Sequence, residues 1–165
     1  PHILDLGTGS GCIAITLALQ CPHCRVLASD YSETALSIAR ENASQLKANV
    51  DFHAGDWYAA LPGDTGKLDC IVSNPPYIAS ADPHLAALKH EPLSALASGA
   101  DGLNDIRRIV QGARANLKPS GWLMLEHGWD QARAVQALLK QAGFNQVQSR
   151  ADLAGIDRVT LGQVP

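Results

Sequence analysis

"ILDLGTGSGCIA", Ile3 to Ala14, is the stretch on which the fold turns. An apolar run from Ile3 to Leu6 breaks into glycines at every second position, Gly7, Gly9 and Gly11, and resumes as Cys12, Ile13 and Ala14. This reads as a buried strand, a tight turn and the opening of a helix. Glycine in such a turn permits unusual backbone dihedrals and lets a ligand approach the main chain, while the helix start offers N–H groups without partners. A nucleotide-like ligand is therefore expected there. Gly9, Gly11 and Ala14 also satisfy the loose dinucleotide pattern, so the glycines alone leave NAD and S-adenosylmethionine both open.

Outward from that turn, strand-like runs alternate with stretches of helical period. The runs are Ile3 to Leu6, Arg25 to Ser29, Val50 to His53, Leu68 to Val72, Trp122 to Glu126, Phe144 to Ser149 and Arg158 to Gly162. Helical spacing puts Ala35, Ala39, Ala43 and Leu46 on one face, and Ala132, Val135, Leu139 and Ala142 on another, with Gly143 as the stop. Alternation of this kind implies an α/β fold, a mostly parallel sheet with helices on both faces. No helix separates the last two runs, which predicts an antiparallel pair at one edge. The connection from Ile78 to about Asn104 is long for a compact domain and is expected to be functional.

With 165 residues the chain can bury one sizeable core, and no apolar run approaches the roughly 20 residues needed to cross a bilayer. The first residues enter an apolar run without an initiator Met, a charged leader or a cleavage site, so the chain reads as one domain, 1–165, cut just before its first strand. Absence of a leader favours the cytoplasm. Net charge is -3 and the 13 Lys and Arg are scattered, which weighs against direct DNA binding. Cys21 and Cys24 form "CPHC", a spacing shared with redox dithiols. The pair follows a helical pattern and precedes a strand, and no second pair completes a zinc site, so it reads as a loop and no metal is expected.

Three more features fall at the ends of predicted parallel strands, the edge at which open α/β sheets bind ligands. Asp30 ends the second strand, where a carboxylate can accept hydrogen bonds from both ribose hydroxyls or cap the helix that begins near Ser32. Asp56 and Trp57 follow the third, where they could hold an adenine amino hydrogen and offer an apolar face to the base, or serve as a helix cap beside a core tryptophan. After the fourth comes "SNPPYIAS", Ser73 to Ser80. Pro75 and Pro76 lock φ and keep the chain extended, so the Asn74 side-chain carbonyl and the Pro75 main-chain carbonyl can converge on one NH2 group. A planar amide or exocyclic amine is a poor nucleophile because its lone pair is delocalised. Accepting both of its N–H hydrogens orients the nitrogen and favours the positive charge that develops as it attacks a methyl donor. Tyr77 is expected to stack on the planar substrate.

Together, "DLGTGSG", Asp30, "GDW" and "NPPY" resemble the class I S-adenosylmethionine-dependent methyltransferases of amino groups. The segments "HEPLSALASGADGL" (His90 to Leu103) and "LEHGWDQ" (Leu125 to Gln131) resemble the peptide chain release factor glutamine methyltransferases, the HemK/PrmC family. That resemblance implies a Rossmann-like, seven-stranded sheet in the order 3-2-1-4-5-7-6. It also implies methyl transfer from S-adenosyl-L-methionine to the side-chain amide nitrogen of the glutamine in the Gly-Gly-Gln motif of release factors. By position, Gly7, Thr8, Gly9, Ser10 and Gly11 would hold the methionine moiety, Asp30 the ribose, and Asp56 with Trp57 the adenine. Asn74 would adjoin the cofactor, and Asn74, Pro75, Pro76 and Tyr77 would hold the glutamine. The family's N-terminal helical domain, which helps dock the release factor, has no counterpart in these residues. Asp5 suits either the cofactor's amino end or bonds to nearby backbone. Glu91 and Glu126 are expected to be buried structural partners. The rival readings are an amino methyltransferase of RNA or DNA, a dinucleotide-dependent oxidoreductase, which leaves "NPPY" unexplained, and a binding module without catalysis.

Overall fold

Strand β1 (His2–Leu6) needs partners on both sides because Leu4, Asp5 and Leu6 are all buried. It has them. In the computed structural model, which describes residues 1–83, 85 and 96–165, β1 pairs in parallel with β2 (Arg25–Asp30) and β4 (Leu68–Ser73). Leu4 stands level with Leu27 on one side and Ile71 on the other. Outside them lie β3 (Asp51–Ala54), parallel to β2, and β5 (Leu117–Glu126), parallel to β4. Strand β7 (Asp157–Gln163) runs antiparallel to both β5 and β6 (Asn145–Ala151), so the order is β3-β2-β1-β4-β5-β7-β6. The antiparallel pair is present, with β7 inserted between β5 and the edge strand β6.

Strand alternation divides the core. Leu4, Leu6, Leu27 and Ile71 point to the face covered by helices α3 (Asn104–Asn116) and α4 (Ala132–Gln141), where they meet Ile106, Ile109, Val135 and Leu139. Each fully buried Leu or Ile contributes about 2 kcal/mol through removal from water. Val26 and Ala28 point the other way, against Ala14 of α1 (Cys12–Gln20). Helix α2 (Glu33–Leu46) starts at Ser32, whose hydroxyl accepts the Ala35 N–H, and buries Leu36, Ala39 and Ala43. The expected stripe through Ala35 and Leu46 is thus rotated: Leu46 is exposed, because Leu36 provides the larger apolar side chain for the core. In α4 the expected face holds, with Gly143 at positive φ beyond its end.

Cys21 and Cys24 are free thiols in the turn between α1 and β2, as the loop reading requires. Of the long connection, residue 84 and residues 86–95, Glu91 among them, lie outside the described residues. On either side of it, Ile78 and Ala97 form a parallel bridge, and Ser80 N–H donates to the Gly99 carbonyl. Among the described residues no helix is long and apolar enough to cross a membrane.

Candidate active site

The glycine turn is tied down by its own backbone. Gly7 and Thr8 N–H groups both donate to the Ser29 carbonyl, at 2.8 and 2.9 Å, which docks the turn on the end of β2. Gly9 N–H donates to Asp30 Oδ2 at 2.8 Å, and Ser32 N–H donates to the other oxygen, Oδ1, at 2.8 Å. Asp30 thereby links the glycine turn to the entry of α2, while Ser32 itself provides the cap.

Two of the glycines serve different ends. At Gly11 (φ 85) a β-carbon would lie 2.9 Å from Ile15 Cδ1 and 3.1 Å from Ala39 Cβ, so glycine here allows α1 to pack against α2. At Gly9 (φ 56) a β-carbon would meet nothing within 4 Å. The positive φ and the open space together make a cradle that a side chain would fill.

Asp5 is fully buried below this turn. Its Oδ2 accepts the Thr8 hydroxyl at 2.6 Å and the Ala14 N–H at 3.1 Å, whereas its Oδ1 has no partner among the described residues. Burial pushes its carboxyl up to about 6; the bonds from Thr8 and Ala14 pull it down, and the charge of Asp30 raises it further. Both readings of Asp5 keep support, one oxygen being bonded within the turn and one left over.

Beyond β3, Asp56 precedes the short 3-10 turn Trp57–Ala60. Trp57 sits at φ 46, a backbone region that bulky side chains rarely adopt and that costs of order 1–3 kcal/mol. A β-carbon placed on Gly7 would lie 3.3 Å from its ring, so the indole lies against the glycine turn. A cleft of about 360 Å³ opens here, lined by Asp56, Trp57, Tyr58, Arg108 and Gln111. Arg108 of α3 donates to Asp56 Oδ2 at 2.5 Å. That ion pair, half exposed at both ends, occupies an oxygen that sequence reasoning assigned to a ligand.

Ser73 joins the second half of the site to the first. Its hydroxyl donates to the Leu6 carbonyl at 2.6 Å, so the ends of β4 and β1, and with them the Asn74 and glycine motifs, are held side by side. Asn74 is exposed, and its side chain has no hydrogen-bond partner among the described residues. Pro75 behind it is buried. Tyr77 is half-buried, with its hydroxyl 3.4 Å from Glu126 Oε1 and receiving a bond from Arg158 Nη2 at 3.1 Å. The Arg158 guanidinium also lies 5.7 Å from the centre of the ring. Burial, with the nearby Glu126 charge, raises the Tyr77 hydroxyl above its ordinary range.

The glycine turn, Asp30, Asp56 with Trp57, and Asn74 to Tyr77 therefore meet at one edge, at the ends of β1, β2, β3 and β4. Glu126, expected to be a buried structural partner, is only part-buried, and the bond it accepts comes from Tyr77 of the amide motif at 3.4 Å. Arg108 and Arg158 were missed, since each is one cation among 13 and its partner lies 52 or 81 residues away. Gln131, at the end of the quoted "LEHGWDQ", was also missed, although its side chain donates to the Tyr77 carbonyl at 2.9 Å.

Residues 1–154 match the family model described as the methyltransferase small domain. The release factor glutamine methyltransferase of Bordetella pertussis is 54% identical over 164 residues, covering 98% of this chain and 60% of that protein. The chain thus spans about 60% of the length of the curated relatives it matches. Among solved structures, a methyltransferase from Pyrococcus furiosus superposes with a TM-score of 0.75 at 18% identity, covering 98% of this chain and 73% of that one. The S-adenosylmethionine-dependent methyltransferase SibL does so with a TM-score of 0.68 at 19% identity, covering 99% and 50%.

Proposed function

The chain belongs to the methyltransferase small domain family, and from that premise we propose that it is the catalytic domain of a release factor glutamine methyltransferase. Its reaction would place one methyl group on the side-chain amide nitrogen of the glutamine in the Gly-Gly-Gln motif. The observation that carries this reading is Asn74. It is an exposed amide with no hydrogen-bond partner among the described residues, at the end of β4, held beside the glycine turn by the Ser73 to Leu6 bond. The substrate is supported by likeness to relatives so named over nearly the whole chain.

The residues present fit S-adenosylmethionine. Gly9 leaves a cradle open, Asp5 Oδ1 is a buried acceptor without a donor, and each Asp30 oxygen keeps a lone pair beyond its one backbone bond. Bound there, the cofactor supplies a methyl group carried on a cationic sulfur. Gly7 to Gly11 would hold its methionine part, Asp5 Oδ1 suiting the ammonium, with Asp30 at the ribose and Trp57 against the adenine. Asp56 would reach the base through the oxygen that Arg108 leaves free.

Asn74 Oδ1 and the Pro75 carbonyl would each accept one N–H of the glutamine amide. The amide nitrogen then faces the methyl donor, and the positive charge it gains is stabilised by two acceptors fixed before the reaction. The nitrogen, cationic once it has gained the methyl and still holding both hydrogens, is strongly acidic and loses one proton to water, so no strong base is required of the chain. The reading puts the protein in the cytoplasm, with release factors as its partners.

The test uses the full-length protein with S-adenosylmethionine and a release factor. Intact-mass spectrometry is expected to show a gain of one methyl group, and peptide fragmentation to locate it on the Gly-Gly-Gln glutamine. An unchanged release factor beside a methylated RNA or DNA oligonucleotide would replace this reading with a nucleic-acid amino methyltransferase.

A further inference from the structure

We propose that Gln131 is a positioning residue for the amide-binding turn, a role that rests on the methyl-transfer reading above. Gln131 precedes α4, and its side chain works at both ends. Oε1 accepts the Gly128 N–H at 2.7 Å, and Nε2 donates to the Tyr77 carbonyl at 2.9 Å and the Asp101 carbonyl at 3.2 Å. Its own N–H donates to the Gly128 carbonyl at 3.0 Å. One neutral amide therefore joins the loop after β5, the turn after β4 and the loop before α3.

The Tyr77 carbonyl is held from a second side as well. Gly102 (φ 73) lies so close that a β-carbon there would collide with the Tyr77 oxygen and come within 2.8 Å of Gln131 Nε2. Between this anchored carbonyl and Asn74 stand only Pro75 and Pro76, whose φ angles are locked. A stiff segment fixed at its far end passes its orientation to its near end. Gln131 thereby sets the direction of the Asn74 side chain and the Pro75 carbonyl without touching the substrate.

The loop that carries Gln131 is itself anchored. The Gly128 carbonyl can only accept, so His127 Nδ1 carries the proton and donates to it at 2.9 Å. The fully buried imidazole then accepts the Thr160 hydroxyl through Nε2 at 2.8 Å, which ties the loop to β7.

Chemistry singles out glutamine at this position. A carboxylate keeps the acceptor for Gly128 but turns an oxygen toward two carbonyls. Methionine removes all three side-chain bonds at nearly the same length without that repulsion.

The experiment compares full-length parent, Gln131→Glu and Gln131→Met for methyl transfer to a release factor. Misplacement of a reacting group by about 1 Å can cost roughly 10²-fold, so Gln131→Glu is expected to lower kcat about 10- to 100-fold. Cofactor affinity by calorimetry should stay within about twofold, and KM for the release factor within about threefold. Lowering the pH from 8 to 6 should raise kcat of Gln131→Glu relative to the parent, because the acid form of the new carboxyl regains a donor. Gln131→Met should show a smaller loss and no such pH response, which keeps the test open should the charged variant fold poorly. Parent-like kcat in the folded variants overturns the proposal. So does a loss that tracks thermal stability and cofactor affinity in both variants. A parent enzyme that leaves the release factor unmethylated defeats the functional reading itself, a distinct result.

Discussion

The two ends of the site are built differently. At the glycine end the contacts are short-range and lead mostly to backbone: Thr8 and Ala14 to Asp5, three and nine residues apart, and Gly9 to Asp30, 21 apart. At the amide end they are side-chain contacts over long separations: Tyr77 meets Glu126, Gln131 and Arg158 at 49, 54 and 81 residues. The first end is a local structure that two adjacent strands, one turn and one helix nearly complete. The second exists only when β4, β5, α4 and β7 are all in place. Binding of the methyl donor and handling of the amide should therefore separate under mutation.

The sharpest separation is expected from Asn74→Ala. Loss of one fixed partner for developing charge costs about 10²- to 10³-fold in turnover. Cofactor affinity by calorimetry should stay within about twofold, because Asn74 makes no bond to the glycine turn. Lost cofactor binding with unchanged turnover would break the comparison.

Asp30→Ala should do the reverse. It removes the acceptor of the Gly9 N–H together with the expected ribose contacts. Hydrogen bonds to a charged group are worth about 1.5–3 kcal/mol, so cofactor affinity should fall roughly 10- to 100-fold. Turnover at saturating cofactor should stay within about threefold of the parent, and an affinity equal to the parent's would remove Asp30 from the ribose role.

The smallest effect belongs to Asp5 and is read as stability against pH. Its folded-state carboxyl titrates at about 6 against an ordinary 3.8, so the folded state holds the proton more tightly than the unfolded one. Stability from this group is greatest below 3.8 and is lost as pH rises through 6. Between pH 4.5 and 6.5 the parent should lose about 2 kcal/mol in urea unfolding beyond what Asp5→Asn loses. Parallel curves for the two proteins would mean that the buried oxygen is better compensated than its missing partner suggests.

Sequence legibility follows the same division. The period-two glycines and the alternation of strand and helix foretold the layers, the parallel core and the edge at which the motifs meet. Strand boundaries came within a few residues, except that β5 begins at Leu117, before Pro119 and a Ser120 at φ 61 that read as a loop. That β7 enters between β5 and β6 came from the family resemblance alone, because an apolar run does not encode its neighbour. Trp57 could be named as an apolar face for the base, but its left-handed backbone is imposed by tertiary packing and has no local signature. Gln131 and Arg158 escaped for the reason that defines the amide end, and Arg108 escaped likewise, its partner Asp56 lying 52 residues away on the cofactor side. Each is one polar residue on an otherwise ordinary element, and folding alone brings it to its partner.

The reversed strand β7 also has a consequence in time. Because it runs against the others, its first residues, not its last, reach the site edge, and Arg158 arrives from near the end of the domain. A chain emerging from a ribosome would carry every residue assigned to the cofactor once Asn74 was out. The amide end would still wait for β7 to pair with β5. On the methyl-transfer reading, competence to handle the amide should therefore follow assembly of the cofactor residues rather than accompany it.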